Sequence, residues 1–531
     1  MPKLRWFAAL SAALVLATAP CAAVTLRYSG TTAPLTMDPH ATNDFVTTAL
    51  VRQVYDSVVA LENNMELGPG IATEWSYQGQ NTWRFKLRQG VKFHDGSALT
   101  ADDVAFSILR QKTSPLYAAL FGNIKEVRKV DANTIDVVSN AADPILPRRM
   151  VRLFVMSRAW ATANGLEKVP DLGAQATEAH SLRHANGTGP MKLVAQEPGR
   201  KTVFQRNKAY WGPSPGNVDE AVYTPIASAP TRIAALLSGE VDLVTDVPLQ
   251  DIERLKTTTG FRIQEVPQLL VMLLEMDGSR DVALDAFDKS GQPLKTNPLK
   301  DVRVRRAFAH AIDANLIVQR VMRGHARVVG IPAAPGFAGF QQDLAARWPT
   351  DPARAKALLA EAGYPNGFGI QLNCPLERYT NAEEICKAVA SMLARIGVDV
   401  KVKAMIWPEF SRMLVQGPNS SFHLIGAAGN SGDLQDMLVS VLATRDKQKA
   451  RGGQNWAMWT NRDLDAVVDQ LVVSFDPAKR TELYRAGLTI AKDQVHGVYL
   501  HQPYLIWGTK ASVSVPARAD SAVMLQNVVI K

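Results

Sequence analysis

His94 and Asp95, adjacent in "FKLRQGVKFHDGSALTADDV" at positions 85–104 of this 531-residue chain, are a pair that could do chemistry. An imidazole beside a carboxylate has two parts of a general-base unit, but a working one also needs a nucleophile and an orienting group. The surrounding residues have other work. Trp83, Phe85 and Leu87 alternate with Arg84, Lys86 and Arg88, the period-two pattern of a half-buried strand. Asp95-Gly96 supplies a tight turn. Thr100 stands at a helix N-cap with Asp103 three residues on, and Val104, Ala105, Ile108 and Leu109 form that helix's apolar face. His94 and Asp95 therefore read as scaffold.

Other candidates are sparse. His180 and His184 in "HSLRH" have the i, i+4 spacing of a helical metal chelate, with Glu178 the one nearby third ligand, but "ANGTGP" follows directly. No G-x-S-x-G elbow, Walker loop, H-E-x-x-H or C-x-x-C occurs. An exported hydrolase would need a nucleophile–base pair or a metal site that these residues do not supply. The expectation is no catalytic residue, no metal and no cofactor.

Charge points the same way. The formal net charge is +9 and hydrophobic residues make up 47%, an ordinary globular composition. The densest basic cluster, "RVRR" at 303–306, runs into a helical pattern and reads as a solvated helix end. A nucleic-acid face would concentrate basic residues with aromatics interleaved, so no nucleic-acid partner is expected.

The elements that must position these residues alternate between strand and helix. "AVTLRYSG" reads as a strand and "TNDFVTTALVRQVYDSVV" as a helix; "IKEVRKVDANTIDVVS" reads as two strands around a turn. In "DPARAKALLAEAGYPNGF", Asp351 is an N-cap, Pro352 the first helical residue and Gly363 the residue past the end. A strand at 369–374, a helix at 381–396 and the strand "VDVKVKAM" then form a βαβ unit in a parallel sheet. At the start, Lys3 and Arg5 precede an apolar run from Phe7 to Ala19, and Cys21-Ala22-Ala23 resembles a signal-peptidase site. Export follows, with residues 1–23 removed. Cys21 could carry a lipid anchor, but Pro20 before it fits such processing poorly. Cleavage leaves Cys374 and Cys386, and an oxidising compartment permits a bridge that spacing alone does not show.

Several of these segments together carry a resemblance. "WRFKLRQGVKFHDGSALTADDVAFSILR", "LTMDPHAT", "LGPGIATEW", "GTGP", "AYWG", "TRIAALLSGEVDLV", "VRRAFAHAID", "AKALLAEAGYPNGF" and "WTNRDLD" resemble, in order, the family-five extracellular solute-binding proteins. These are the peptide-, dipeptide- and nickel-binding components of bacterial ABC importers. The resemblance implies an α/β, two-lobed periplasmic-binding-protein fold with mixed sheets, a hinge and an extra subdomain. Lobe I would comprise 24–53, 187–268 and 497–531, the subdomain 54–186, and lobe II 269–496. It implies a periplasmic, monomeric protein that closes on a small-molecule or short-peptide ligand and hands it to a membrane permease. A metal chelate, an opine or an oligosaccharide is the alternative cargo.

Ligand residues carry over by position. Arg378 in "CPLERYTNAEE" matches an arginine that pairs with a peptide carboxylate. Asn430 in "GNSGDLQD" replaces the aspartate that holds the peptide ammonium, so that either Asp433 or Asp436 substitutes or the ligand lacks a free amine there. Ala427-Ala428 replace a bulky aromatic, which implies a roomier pocket. Trp407, Trp456 and Trp459 would line the cleft, and Asp38 and His40 would approach the ligand from lobe I.

Overall fold

The computed structural model describes residues 23–172, 179–417, 419–429 and 431–531. Residues 1–22, including Cys21, lie outside the described residues, as do Glu178 and Asn430.

A mixed sheet runs through both lobes. In lobe I the strand Thr25–Gly30 pairs in parallel with Glu220–Pro225 and Leu243–Val244. In lobe II, Gly369–Leu376 pairs in parallel with Asp399–Ile406, and the helix Ala382–Ala394 connects them, the expected βαβ unit. Cys374 and Cys386 are joined by a disulfide that ties this strand to that helix.

Two segments cross between the lobes. The first is the short link between strands Phe261–Pro267 and Val271–Met276. The second is the 14-residue strand Gly497–Lys510. Its first half, to His501, pairs with Val271–Met276 of lobe II, while Tyr504 to Lys510 pair with Phe261–Pro267 of lobe I. The crossing thus falls inside the strand. The change of partner coincides with His501-Gln502-Pro503, a polar and proline break in an otherwise largely apolar strand. The two crossings are bonded to each other: the Gln268 amide donates to Pro503 O, and Gln502 Nε2 donates to Gln268 O at 2.9 Å.

The subdomain has its own four-stranded antiparallel sheet, Ala72–Tyr77, Thr82–Leu87, Thr134–Ser139 and Ile124–Asp131 in spatial order. Phe85, Val104, Ile108, Phe121, Ile135 and Val137 fill a core separate from those of the lobes. The helix Ala101–Lys112 starts where expected, with Asp103 accepting from both the amide and the hydroxyl of Thr100. The expected 42–59 helix is shorter, Phe45–Val54, with Tyr55 extended and Val59 already in a strand.

His94 and Asp95 fasten the subdomain to lobe I. The His94 amide donates to Gly187 O, and His94 Nε2 lies 2.9 Å from Gly189 O. Asn186 Nδ2 donates to Asp95 Oδ2 at 2.7 Å. Glycine is required there: a Cβ at Gly187 would sit 2.0 Å from Val54 O, and one at Gly189 would sit 2.6 Å from Val54 C. The same crossing explains "GTGP" and "AYWG". Half-buried Asp56 accepts from the Thr188 hydroxyl, the Tyr210 hydroxyl and Trp211 Nε1.

Candidate functional site

Between the lobes lies a cleft, open to solvent at its mouth. The helix Phe45–Val54 of lobe I contributes Phe45, Thr48, Ala49 and Arg52, and the C-terminal segment contributes Ala519, Asp520 and Ala522. The subdomain contributes Leu61, Met65, Arg148, Val151 and Arg152. Lobe II answers with Ala428, Gly429, Ser431 and Gly432, and Leu269 of the first crossing lies between the walls. Much of this lining is apolar, with a few convergent charges, the composition of a small-molecule site.

Those charges are unequal. Asp520 accepts from Arg52 at 2.6 Å and from Arg518 at 2.8 Å, so one carboxylate serves two guanidinium groups. Burial opposes Asp520 ionisation, but the two arginines outweigh it and hold the carboxyl far below its usual range. Arg52 is pushed down by burial; Asp520 counters this, while Arg518 and Arg152 add to it. Among the described residues no carboxylate lies within ion-pair distance of Arg152.

Asp433 and Asp436 stand beside the cleft rather than in its lining. Asp433 caps the short helix Leu434–Asp436, accepting from the Gln435 amide and, at 2.6 Å, from the Tyr484 hydroxyl. Burial pushes its carboxyl up against the pull of Tyr484 and Arg480. Asp436 Oδ2 accepts from the Ser431 amide at 2.8 Å. The remaining oxygens face the subdomain: Asp433 Oδ2 is 3.9 Å from Arg148 Nε, and Asp436 Oδ1 is 3.9 Å from Arg149 Nη2. Both aspartates therefore act across the cleft between protein walls. Asn430 lies outside the described residues, although Gly429 and Ser431 on either side line the cavity.

The remaining predicted residues are elsewhere. Arg378 is exposed, 4.9 Å above the Trp407 ring and 5.8 Å from that of Tyr379, and does not line the cavity. Trp407 stacks on Phe410 with ring centres 5.8 Å apart. Trp456 is half-buried beneath Arg445. Trp459 is core, edge-on to His496 at 5.1 Å and so close to Gly278 that a Cβ there would clash at 2.6 Å. None of the three tryptophans lines the cavity; each fills lobe II instead.

Asp38 and His40 are fully buried and occupied. Arg110, from the helix Ala101–Lys112, donates to both Asp38 oxygens at 2.6 and 2.9 Å and to His40 Nδ1. His40 Nε2 lies 2.9 Å from Phe154 O. Burial, reinforced by Arg110, lowers the His40 pKa to about 3. The expectation that these two approach the ligand is corrected: an arginine 72 positions away consumes them.

His180 and His184 stack at 4.0 Å, and among the described residues no group of three His, Cys, Asp or Glu could hold a metal ion. Arg305 of "RVRR" is not a solvated helix end. It is buried and spends its donors on the carbonyls of Leu299, Lys300, Gln494 and Val495.

The lining residues that spacing did not single out are Arg52, Arg148, Arg152 and Asp520. "RRMVR" at 148–152 was the available signal, since it places two arginines four apart and a third beside them.

Comparison with known proteins fits this two-walled geometry. Residues 66–449 match the model of bacterial extracellular solute-binding proteins, family 5 Middle. The chain belongs to family 5 of the bacterial extracellular solute-binding proteins. This solute-binding protein is 27% identical over 455 residues to the dipeptide-binding protein of Escherichia coli (strain K12), covering 81% of this chain and 79% of that one. It is 28% identical over 469 residues to heme-binding protein A of Haemophilus influenzae, covering 83% and 80%. Its fold matches the periplasmic binding protein DppA from Helicobacter pylori in complex with the peptide STSA, with TM-score 0.76, 22% identity and coverage of 95% and 98%. No described helix is long and apolar enough to cross a membrane.

Proposed function

We propose that this solute-binding protein works in the periplasm as the monomeric binding component of an ABC importer. It captures a peptide or peptide-like, carboxylate-bearing solute between its lobes and delivers it to a membrane permease. The observation that carries this reading is the cleft itself: an apolar lining with arginines converging on it, enclosed by walls from three parts of the chain. The dipeptide-binding relative and the peptide-bound neighbour support the cargo class. The mechanism is differential binding: a ligand touching both walls stabilises the closed lobes, and the permease distinguishes closed from open. No group on either wall forms or breaks a bond.

Native mass spectrometry of protein purified without denaturation from the periplasm tests this directly. A ladder of released peptide masses is the expected result. A single non-peptide compound would replace the peptide reading with another cargo on the same fold.

A further inference from the structure

The cleft charges do not balance, and the imbalance has a location. Arg52 and Arg518 share one carboxylate, Asp520, while Arg152 has no acidic partner among the described residues. Asp433 and Asp436 do not offset this surplus, because they face Arg148 and Arg149 from the opposite wall. Asp433 is also approached by Arg480, and Arg149 already pairs with Asp143 at 2.9 Å. Like charges crowded into a half-buried wall are costly unless a counter-charge arrives. The surplus lies on the lobe I and subdomain side, and Phe45, Leu61, Met65 and Val151 line the cavity around it.

We propose that Arg152, with Arg52 in the same cavity lining, is an anion seat on the subdomain wall, and that the cargo is an acidic solute with an apolar body. The solute places a carboxylate on Arg152 beyond any charge that a free amine would cancel. Arg152 is free to donate in a bidentate fashion, which fits a planar carboxylate. This inference rests on the reading of the cleft as the cargo site.

Isothermal titration on the intact exported chain tests it with three peptide probes of similar size. These are leucyl-glutamine, which is neutral overall, leucyl-glutamate, and N-acetyl-leucyl-glutamate, each more negative than the last. Suberate, an apolar chain with two carboxylates and no peptide bond, is the fourth. Each added charge is expected to tighten binding roughly tenfold, the equivalent of one charge-assisted hydrogen bond. Arg152→Gln should remove about tenfold from leucyl-glutamate and leave leucyl-glutamine within about twofold, whereas Arg152→Lys should keep most of the preference. Equal affinity for leucyl-glutamine and leucyl-glutamate, or an equal loss for both in Arg152→Gln, overturns the seat while the peptide reading stands. Suberate binding without any peptide binding overturns the peptide reading and keeps the seat. Binding of none of the probes removes both. Should Arg152→Gln fail to fold by circular dichroism, the wild-type series and Arg152→Lys decide the matter.

Discussion

At the scale of single residues, the charged side chains divide by what is left for them to bind. Arg110 and Arg305 are buried and Asp56 is half-buried, each with nearly all of its hydrogen-bonding capacity used inside the protein, so each joins segments rather than binding solute. Arg152 differs because its side chain reaches a cavity without an acidic partner among the described residues. Arg378 differs again, being exposed over Trp407. An exposed cation–π contact is worth roughly 0.5–1 kcal/mol and touches no cavity lining. Arg378→Ala should therefore change affinity for an acidic peptide by less than about threefold. A loss of tenfold or more by calorimetry would return Arg378 to the site and mean that the lobes rearrange around bound ligand.

At the scale of elements, the βαβ unit of lobe II carries a covalent cross-link. Cys374 at the end of the strand and Cys386 in the following helix are 12 positions apart with Cα atoms 6.4 Å apart. Closing so short a loop in the unfolded chain stabilises by about 3 kcal/mol in the chain-entropy account. Reducing the bridge should lower the urea midpoint accordingly without altering ligand affinity, since neither cysteine lines the cleft. A midpoint unchanged in dithiothreitol, with free thiols confirmed by mass, would show that the bridge contributes nothing. The subdomain is likewise more than an ornament on lobe I. Its Tyr77 ring stacks on Phe475 of lobe II at 3.8 Å, and Arg148 and Arg149 face Asp433 and Asp436 nearby. The element that widens the fold also meets the opposite lobe.

At the scale of the whole molecule, buried histidines couple stability to pH. Burial, the leading cause at each site, lowers His40 to about 3 and His94, His496 and His501 to about 4. An unfolded histidine titrates near 6.5, so on acidification the unfolded chain takes up protons that the native chain refuses. The native state thus loses stability as pH falls from about 6.5 toward 4, by up to about 1.4 kcal/mol per pH unit for each histidine. Buried carboxyls pushed up by burial, such as Asp56 and Asp433, act in the opposite sense. The urea midpoint should fall between pH 7 and pH 5; a constant midpoint over that range would contradict the burial of these imidazoles. His501 sits where the second crossing changes its pairing partner, and neither ring nitrogen has a described partner. Its protonation would be felt at the hinge.

Much of this protein was legible from local pattern alone. Alternation marked the subdomain strands, and Thr100 with Asp103 marked a helix start. Asp351, Pro352 and Gly363 bracketed another helix, and ordered motifs indicated the family. These features rest on interactions within a few residues, which one stretch of chain can specify. The composition of the cleft could not be read in that way. Arg52 meets Asp520 across 468 positions and Arg110 meets Asp38 across 72, and no spacing rule predicts either contact. Whether a charge binds solute or is consumed inside the protein depends on which distant segments pack against it. Only the tertiary structure, by bringing distant segments of both lobes and the subdomain to one cleft, decided that Asp38 is occupied and that Arg152 remains available.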